Sequence, residues 1–119
     1  MISFENFGDL LKLDIGPFAA KPTSIEGDQK EATRVLWTSA NEKMETGIWE
    51  CTPGRFTADR TQNAEVCHLL TGRVTLHNSD GTSQDIGAGE MFALPLGWRG
   101  EWTIHEQTRK IYTMVATGV

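Results

Sequence analysis

Residues 65–74, EVCHLLTGRV, and 89–102, GEMFALPLGWRGEW, decide how this chain folds. In the first, Val66, His68 and Leu70 alternate with Glu65, Cys67 and Leu69, and after Gly72 the alternation resumes at Val74 and Leu76. That period of two belongs to a β-strand, whose successive side chains point to opposite faces. In the second, a short apolar run at 91–94 lies between Gly89 and the turn residues Pro95 and Gly97, as expected of a buried strand. Working outward, the same reading predicts further strands at 32–38, 47–52, 73–77, 83–86, 101–105 and 110–116. Pro53 with Gly54, Thr71 with Gly72, and the run 78–81 (NSDG) are read as turns. The polar residues 55–64 read as a loop and a strand, and the one helix-like patch, at 7–13, is closed by Gly16 and Pro17. Eight to ten short strands with regularly spaced turns imply an all-β jelly-roll barrel.

At 119 residues the chain is one domain with a single core. It divides into an N-terminal arm at 1–30 and a barrel at 31–119, both parts of that domain. Such an arm adds an edge strand or crosses to a neighbouring subunit. The net charge is −5, and the longest basic run is Arg109 with Lys110, which excludes a nucleic-acid surface. No apolar stretch is long enough to span a bilayer. The first thirteen residues carry Glu5 and Asp9 and lack a signal-peptide pattern, so the cytoplasm is the expected compartment. Cys51 and Cys67 lie inside predicted strands and read there as reduced, buried small residues.

Gly54, Glu65 and Gly72, followed by Gly89, Pro95 and Gly97, form a set that resembles the two-motif signature of the cupin superfamily. Residues 49–56 (WECTPGRF), 65–74, 89–102 and 109–112 (RKIY) are similar to the small single-domain cupins called (S)-ureidoglycine aminohydrolase-like or ethanolamine-utilisation-like. The resemblance implies an RmlC-like jelly-roll cupin barrel and, from the way cupins usually assemble, a homodimer. It also implies where a metal would sit, because in the family two histidines and a glutamate of the first motif and a histidine of the second hold one. Here those histidine positions fall on Asp59, Thr61 and Gly100, and Glu65 is the one ligand kept. The expectation is therefore no metal and no cofactor. Two alternatives stay open: a metal-dependent aminohydrolase acting on a ureido or amino compound, and a non-catalytic dimeric partner or sensor.

If Glu65 points into the barrel, Cys67 and Leu69 share its face. A carboxylate there must be paired or hydrogen-bonded, since burying it alone costs several kcal/mol; Arg55, Arg60 and Lys110 are the candidate partners. Glu65 then serves as a general base or substrate anchor, or as half of a structural ion pair. Trp102 has the strand parity of Gly100, so an indole fills the space of the missing histidine. That suits an organic ligand pocket, and equally an ordinary aromatic core. Lys110 and Tyr112 share a face of the last strand: Lys110 can hold a substrate carboxylate or offer a proton, and Tyr112 can act as general acid. A snorkelling lysine and a buried tyrosine account for the same letters. For a metal, one arrangement remains, Asp59 with Glu65 and Cys67. Cys67 has no histidine on its own face, so a nucleophilic thiol is not supported.

These residues together predict a metal-independent cupin that binds a small polar organic molecule in the barrel. Glu65, Lys110 and Tyr112 are its catalytic candidates. Arg55, Asp59 and Trp102 are its substrate-binding candidates, with Arg55 and Asp59 at the rim.

Overall fold

In the computed structural model, which describes residues 1–116, nine strands form one curled sheet. They are β1 (Ala19–Ala20), β2 (Ser24–Glu26), β3 (Lys30–Thr38), β4 (Met44–Cys51), β5 (Gly54–Asp59), β6 (Asn63–Asn78), β7 (Ser83–Gly87), β8 (Met91–Leu94) and β9 (Arg99–Ala116). Residues 117–119 of the expected barrel lie outside the described residues. The architecture is the all-β jelly roll that the strand pattern predicts.

Two long strands form its spine. β6 and β9 pair antiparallel from Asn63↔Ala116 to Asn78↔Gly100. The other edge of β6 takes β8 opposite residues 65–68 and β7 opposite 73–77. The other edge of β9 takes β5 opposite 99–104 and β4 opposite 108–115. β3 continues beyond β4, β1 beyond β3, and β2 beyond β5. Each half of the spine thus carries its own short strands, and the two halves fold toward each other.

The fold line is a run of register shifts between Leu69 and Val74. At its centre Gly72 has φ +91°, and a Cβ there would run into Thr108 Oγ1 and the Gln107 carbonyl. Gly72 therefore makes a bulge inside a continuous strand, where sequence alone predicts a turn between two strands. A bulge bends a strand and increases its twist without ending the pairing. For the same reason the strands expected at 101–105 and 110–116 are one, bent in step with its partner.

The helix expected at 7–13 does not form. The Asp9 carbonyl accepts hydrogen bonds from the Lys12 and Leu13 amides in a single turn, and one turn cannot propagate against the cost of nucleation. Its apolar residues are used in packing instead: Leu10, Leu13 and Ile15 lie on the outside of the sheet against Ala32, Leu36 and Ile48. Arg109 pins the segment by donating to the carbonyls of Leu10 and Leu13, both at 2.8 Å. The rest of the arm supplies β1 and β2, which cover two sheet edges.

Inside the curl, Trp102 packs edge-on to Trp49 and Phe92 and stacked on Phe56 at 5.6 Å. Cys51 and Cys67 are buried here as free thiols. The outer face of β7, β6 and β9 is polar: Thr75 bonds Asp85 and His105, and His77 bonds Thr103. Gly72→Ala is expected to destabilise the fold by more than about 1 kcal/mol, because left-handed strain and overlap with Thr108 add. Gly81, also at positive φ but facing open space, is the control: urea denaturation should show a distinctly smaller loss for Gly81→Ala.

Candidate functional site

The inward faces of the two halves enclose a cavity of about 230 Å³. Its wall is built in rows across β4, β9 and β6. The first row is Glu45, Met114 and Glu65; the middle one is Gly47, Tyr112 and Cys67; the third is Trp49, Lys110 and Leu69, and of these Gly47, Cys67 and Leu69 support the wall without lining it. Glu31 and Thr33 of β3, Lys21 of the arm, Phe56 and Ala58 of β5, Arg60 beyond it, and Trp102 of β9 complete the lining.

The small residues in the middle row set what its neighbours can do. At Gly47 a side chain would meet the Tyr112 hydroxyl at 2.9 Å. The bare backbone lets that ring lie across β4 and donate its O–H to Glu45 Oε2 at 2.8 Å. Cys67 leaves room on the other side for the Lys110 stem. Lys110 is opposite Leu69, four positions along β6 from Glu65, about 13 Å on an extended strand. The two side chains extend toward each other, and Lys110 Nζ donates to Glu65 Oε2 at 2.7 Å.

Both members of this pair are buried, Glu65 at 3 % and Lys110 at 6 % exposure. The ammonium also lies 4.5 Å from the ring centres of Trp49 and of Trp102, a cation–π arrangement that strengthens as water is removed. Arg60 stands on the far side of Glu65, its Nη1 at 3.7 Å from Oε1. A second pair lies nearer the arm, where Lys21 Nζ meets Glu31 Oε1 at 2.8 Å and Trp49 Nε1–H donates to the same oxygen at 2.9 Å.

Burial by itself pushes the Glu65 carboxyl up, but the charge and hydrogen bond of Lys110, aided by Arg60, outweigh it and hold Glu65 below its usual 4.5. Burial likewise pulls Lys110 down, and Cys67 together with the charge and hydrogen bond of the Glu65 carboxylate reverses this, leaving the ammonium above its usual 10.5. The pair is therefore charged at neutral pH. Burial and the hydrogen bond to Glu45 raise the Tyr112 phenol. Burial pushes the Cys67 thiol up to about 12 and that of Cys51 to about 11, so neither is a thiolate nucleophile.

Of the residues selected from sequence, Glu65, Trp102, Lys110 and Tyr112 line one cavity. Arg55 and Asp59 do not. They alternate with Phe56 and Ala58 along β5 and so point outward: Arg55 bonds Glu101 at 2.6 Å, and Asp59 pairs with Arg99 at 3.2 Å. Asp59 also accepts from the Thr61 amide, and Thr61, through its side chain first and its amide second, lowers the Asp59 pKa ahead of the nearby cations. Sequence reasoning missed Lys21, Glu31, Glu45 and Phe56 as lining residues. Glu45 and Trp49 carry a signal, being four residues apart on one strand face. Lys21 carries none, because it comes from an arm whose course only packing determines.

The residues do not fit the metal centre that the cupin fold implies. Asp59, at the first histidine position, faces outward, and Gly100 at the third offers no side chain. Among the described residues no three histidine, cysteine or carboxylate side chains converge. An ammonium, rather than further donors, stands against the surviving glutamate.

Fold and site together define a cupin. Residues 38–112 match the family of the EutQ-like cupin domain, and the chain belongs to that family. No curated protein is significantly similar in sequence. Among solved structures, a protein of unknown function from Pseudomonas syringae has a TM-score of 0.76 at 22 % identity, over 90 % of this chain and 46 % of its own. Ethanolamine utilization protein Q from Salmonella typhimurium has a TM-score of 0.67 at 17 % identity, over 85 % and 80 %. Ectoine synthase from P. lautus reaches 0.70 at 12 % identity, over 97 % and 78 %. These likenesses concern the fold.

The ion pair has a measurable signature. Glu65, with its pKa lowered on folding, adds stability above about 4.5 that is lost as pH falls through its folded value; Lys110, raised, adds stability below about 10.5 that is lost as pH rises through its folded value. Chemical denaturation across pH should therefore show a plateau with an acid limb that Glu65→Gln flattens. Lys110→Ala alone is expected to cost about 3–5 kcal/mol, whereas Glu65→Leu with Lys110→Met should cost less than the sum of the single changes.

Proposed function

We propose that this cupin binds a small polar organic molecule in its barrel without a metal. The observation that carries the reading is the buried Glu65–Lys110 pair, bracketed by two indoles and set in the wall of a cavity instead of a filled core. The space equals the liquid volume of roughly eight waters, the scale of a small metabolite. Apolar walls with a few convergent polar groups are the usual makeup of a ligand site.

The same electrostatics favour holding over turnover. A general acid or base works best with its pKa near the working pH. Glu65 is displaced below the ordinary carboxylate value, and Lys110 and Tyr112 are displaced above theirs, all away from neutrality. Glu65 and Lys110 thus serve as fixed charges, and Tyr112 as a hydroxyl donor. The metal-dependent aminohydrolase reading, acting on a ureido or amino compound, is weakened by the donor set around Glu65. The reading as a partner or sensor with a vestigial pocket is weakened by the open cavity.

A thermal-shift screen of small carboxylates, amines and neutral polar compounds tests the proposal. Hits are expected to raise the Tm of the wild type and to be lost in Ala58→Leu, which narrows the cavity while keeping the ion pair. Hits that survive both Ala58→Leu and Glu65→Gln would place binding elsewhere and defeat the reading. Protein purified without chelator is expected to hold far less than one equivalent of metal by elemental analysis. About one equivalent, lost on Glu65→Gln, would restore the hydrolase reading.

A further inference from the structure

The charges facing the cavity do not all find partners. Lys21 with Glu31 and Lys110 with Glu65 close two ion pairs, at 2.8 and 2.7 Å. Arg60 and Glu45 have no such close partner of opposite charge, the nearest approach being Arg60 to Glu65 at 3.7 Å. The Arg60 Nε is buried without a hydrogen-bond partner. Its Nη1 reaches Met114 Sδ at 3.8 Å and Glu65 Oε1 at 3.7 Å, too far for a hydrogen bond to oxygen. A guanidinium presents five N–H donors in a planar fork that matches an oxyanion, and most of that capacity is unspent.

The residue is also held in place. The Arg60 amide donates to the Trp98 carbonyl at 2.8 Å, and its own carbonyl accepts from the Gly97 amide at 2.9 Å. Glu45 is the complementary case. Oε2 accepts from Tyr112 at 2.8 Å, and among the described residues no cation pairs with it. The two groups meet at Met114, which is the β9 partner of Glu45 and the residue that Arg60 Nη1 touches.

We infer that the ligand of this cavity is a small zwitterion, with a carboxylate taken by Arg60, an ammonium taken by Glu45 beside the Tyr112 hydroxyl, and a carbon backbone lying over Met114. The inference rests on the reading of the cavity as a binding site. A simple anion would satisfy Arg60 and leave Glu45 facing a second negative charge, and a simple amine would do the reverse. The zwitterion pairs both charges and adds no net charge to a partly buried site, so the desolvation cost of each end is offset by a partner of opposite sign.

The test titrates the full chain, by tryptophan fluorescence and calorimetry, with γ-aminobutyrate and its one-ended relatives butyrate and butylamine. Glycine, β-alanine and δ-aminovalerate vary the spacing between the two charges. At least one amino acid is expected to bind about tenfold or more tighter than butyrate and butylamine, the scale of one charge-assisted hydrogen bond. Arg60→Gln should weaken it and butyrate by a similar factor and spare butylamine, while Glu45→Gln should do the converse. Thermal unfolding checks that the variants fold, and Arg60→Lys, which keeps the charge and loses the fork, replaces any that does not. Butyrate binding as tightly as every amino acid, or affinities unmoved by both substitutions, overturns the zwitterion. Neutral compounds that bind in the cavity while no amino acid does overturn it too, and leave the binding-site reading standing. No cavity ligand of any kind overturns both.

Discussion

The contact between Lys110 Nζ and Glu65 Oε2 constrains the rest of the structure. Neither charge is tolerable in this position without the other, since removing an ion from water costs several kcal/mol that a close partner must offset. Their union requires the β6–β9 register that puts Lys110 four positions from Glu65, the small Cys67 between them, and a wall of rings around the ammonium. Each is a property of a different segment. The pair therefore ties the register of the two longest strands to the composition of the barrel interior.

The bend at Gly72 is the second requirement. Trp102 and Lys110 belong to the same strand, eight residues apart, and on a straight strand would stand about 26 Å from each other. In the folded chain the ammonium is 4.5 Å from the centre of that indole. Only a spine folded on itself does this, and the fold line passes where Gly72 lets β6 come against Thr108. A conformational permission at one residue thus brings together two ends of one strand as opposite walls of a cavity.

Placed among cupins, the site keeps the position of the fold's acid and changes its partner. Where a metal would bring concentrated positive charge, an ammonium and a guanidinium bring it here, from β9 and from the loop after β5. Fixed organic cations neutralise Glu65 without offering open coordination positions. In the binding role proposed above, a ligand would be recognised by charge and hydrogen bonds, and the unequal use of the cavity's charges, closed at Lys21 and Lys110 and only loosely engaged at Arg60 and Glu45, would give that recognition a direction.

What the sequence determined by itself was the all-β fold, through the period-two alternation at 65–70 and the spacing of Gly54, Gly72, Gly89 and Gly97. Strand parity also placed Lys110 and Tyr112 on one face of the last strand, because a strand's alternation is local and survives any register, and the cupin resemblance added that Glu65 and Trp102 turn inward. The tertiary structure decided everything that depends on pairing across the sheet. It turned the expected break at Gly72 into a bulge, since a shared partner strand continues through it. It placed Arg55 and Asp59 outside, because β5 runs as a strand through residues that are polar in sequence. It brought Lys21, Glu31 and Glu45 to the cavity, because the arm and two further strands close over it. Local periodicity tells which way a side chain points; which side chains it then meets is a matter of long-range register, which no single stretch of sequence contains.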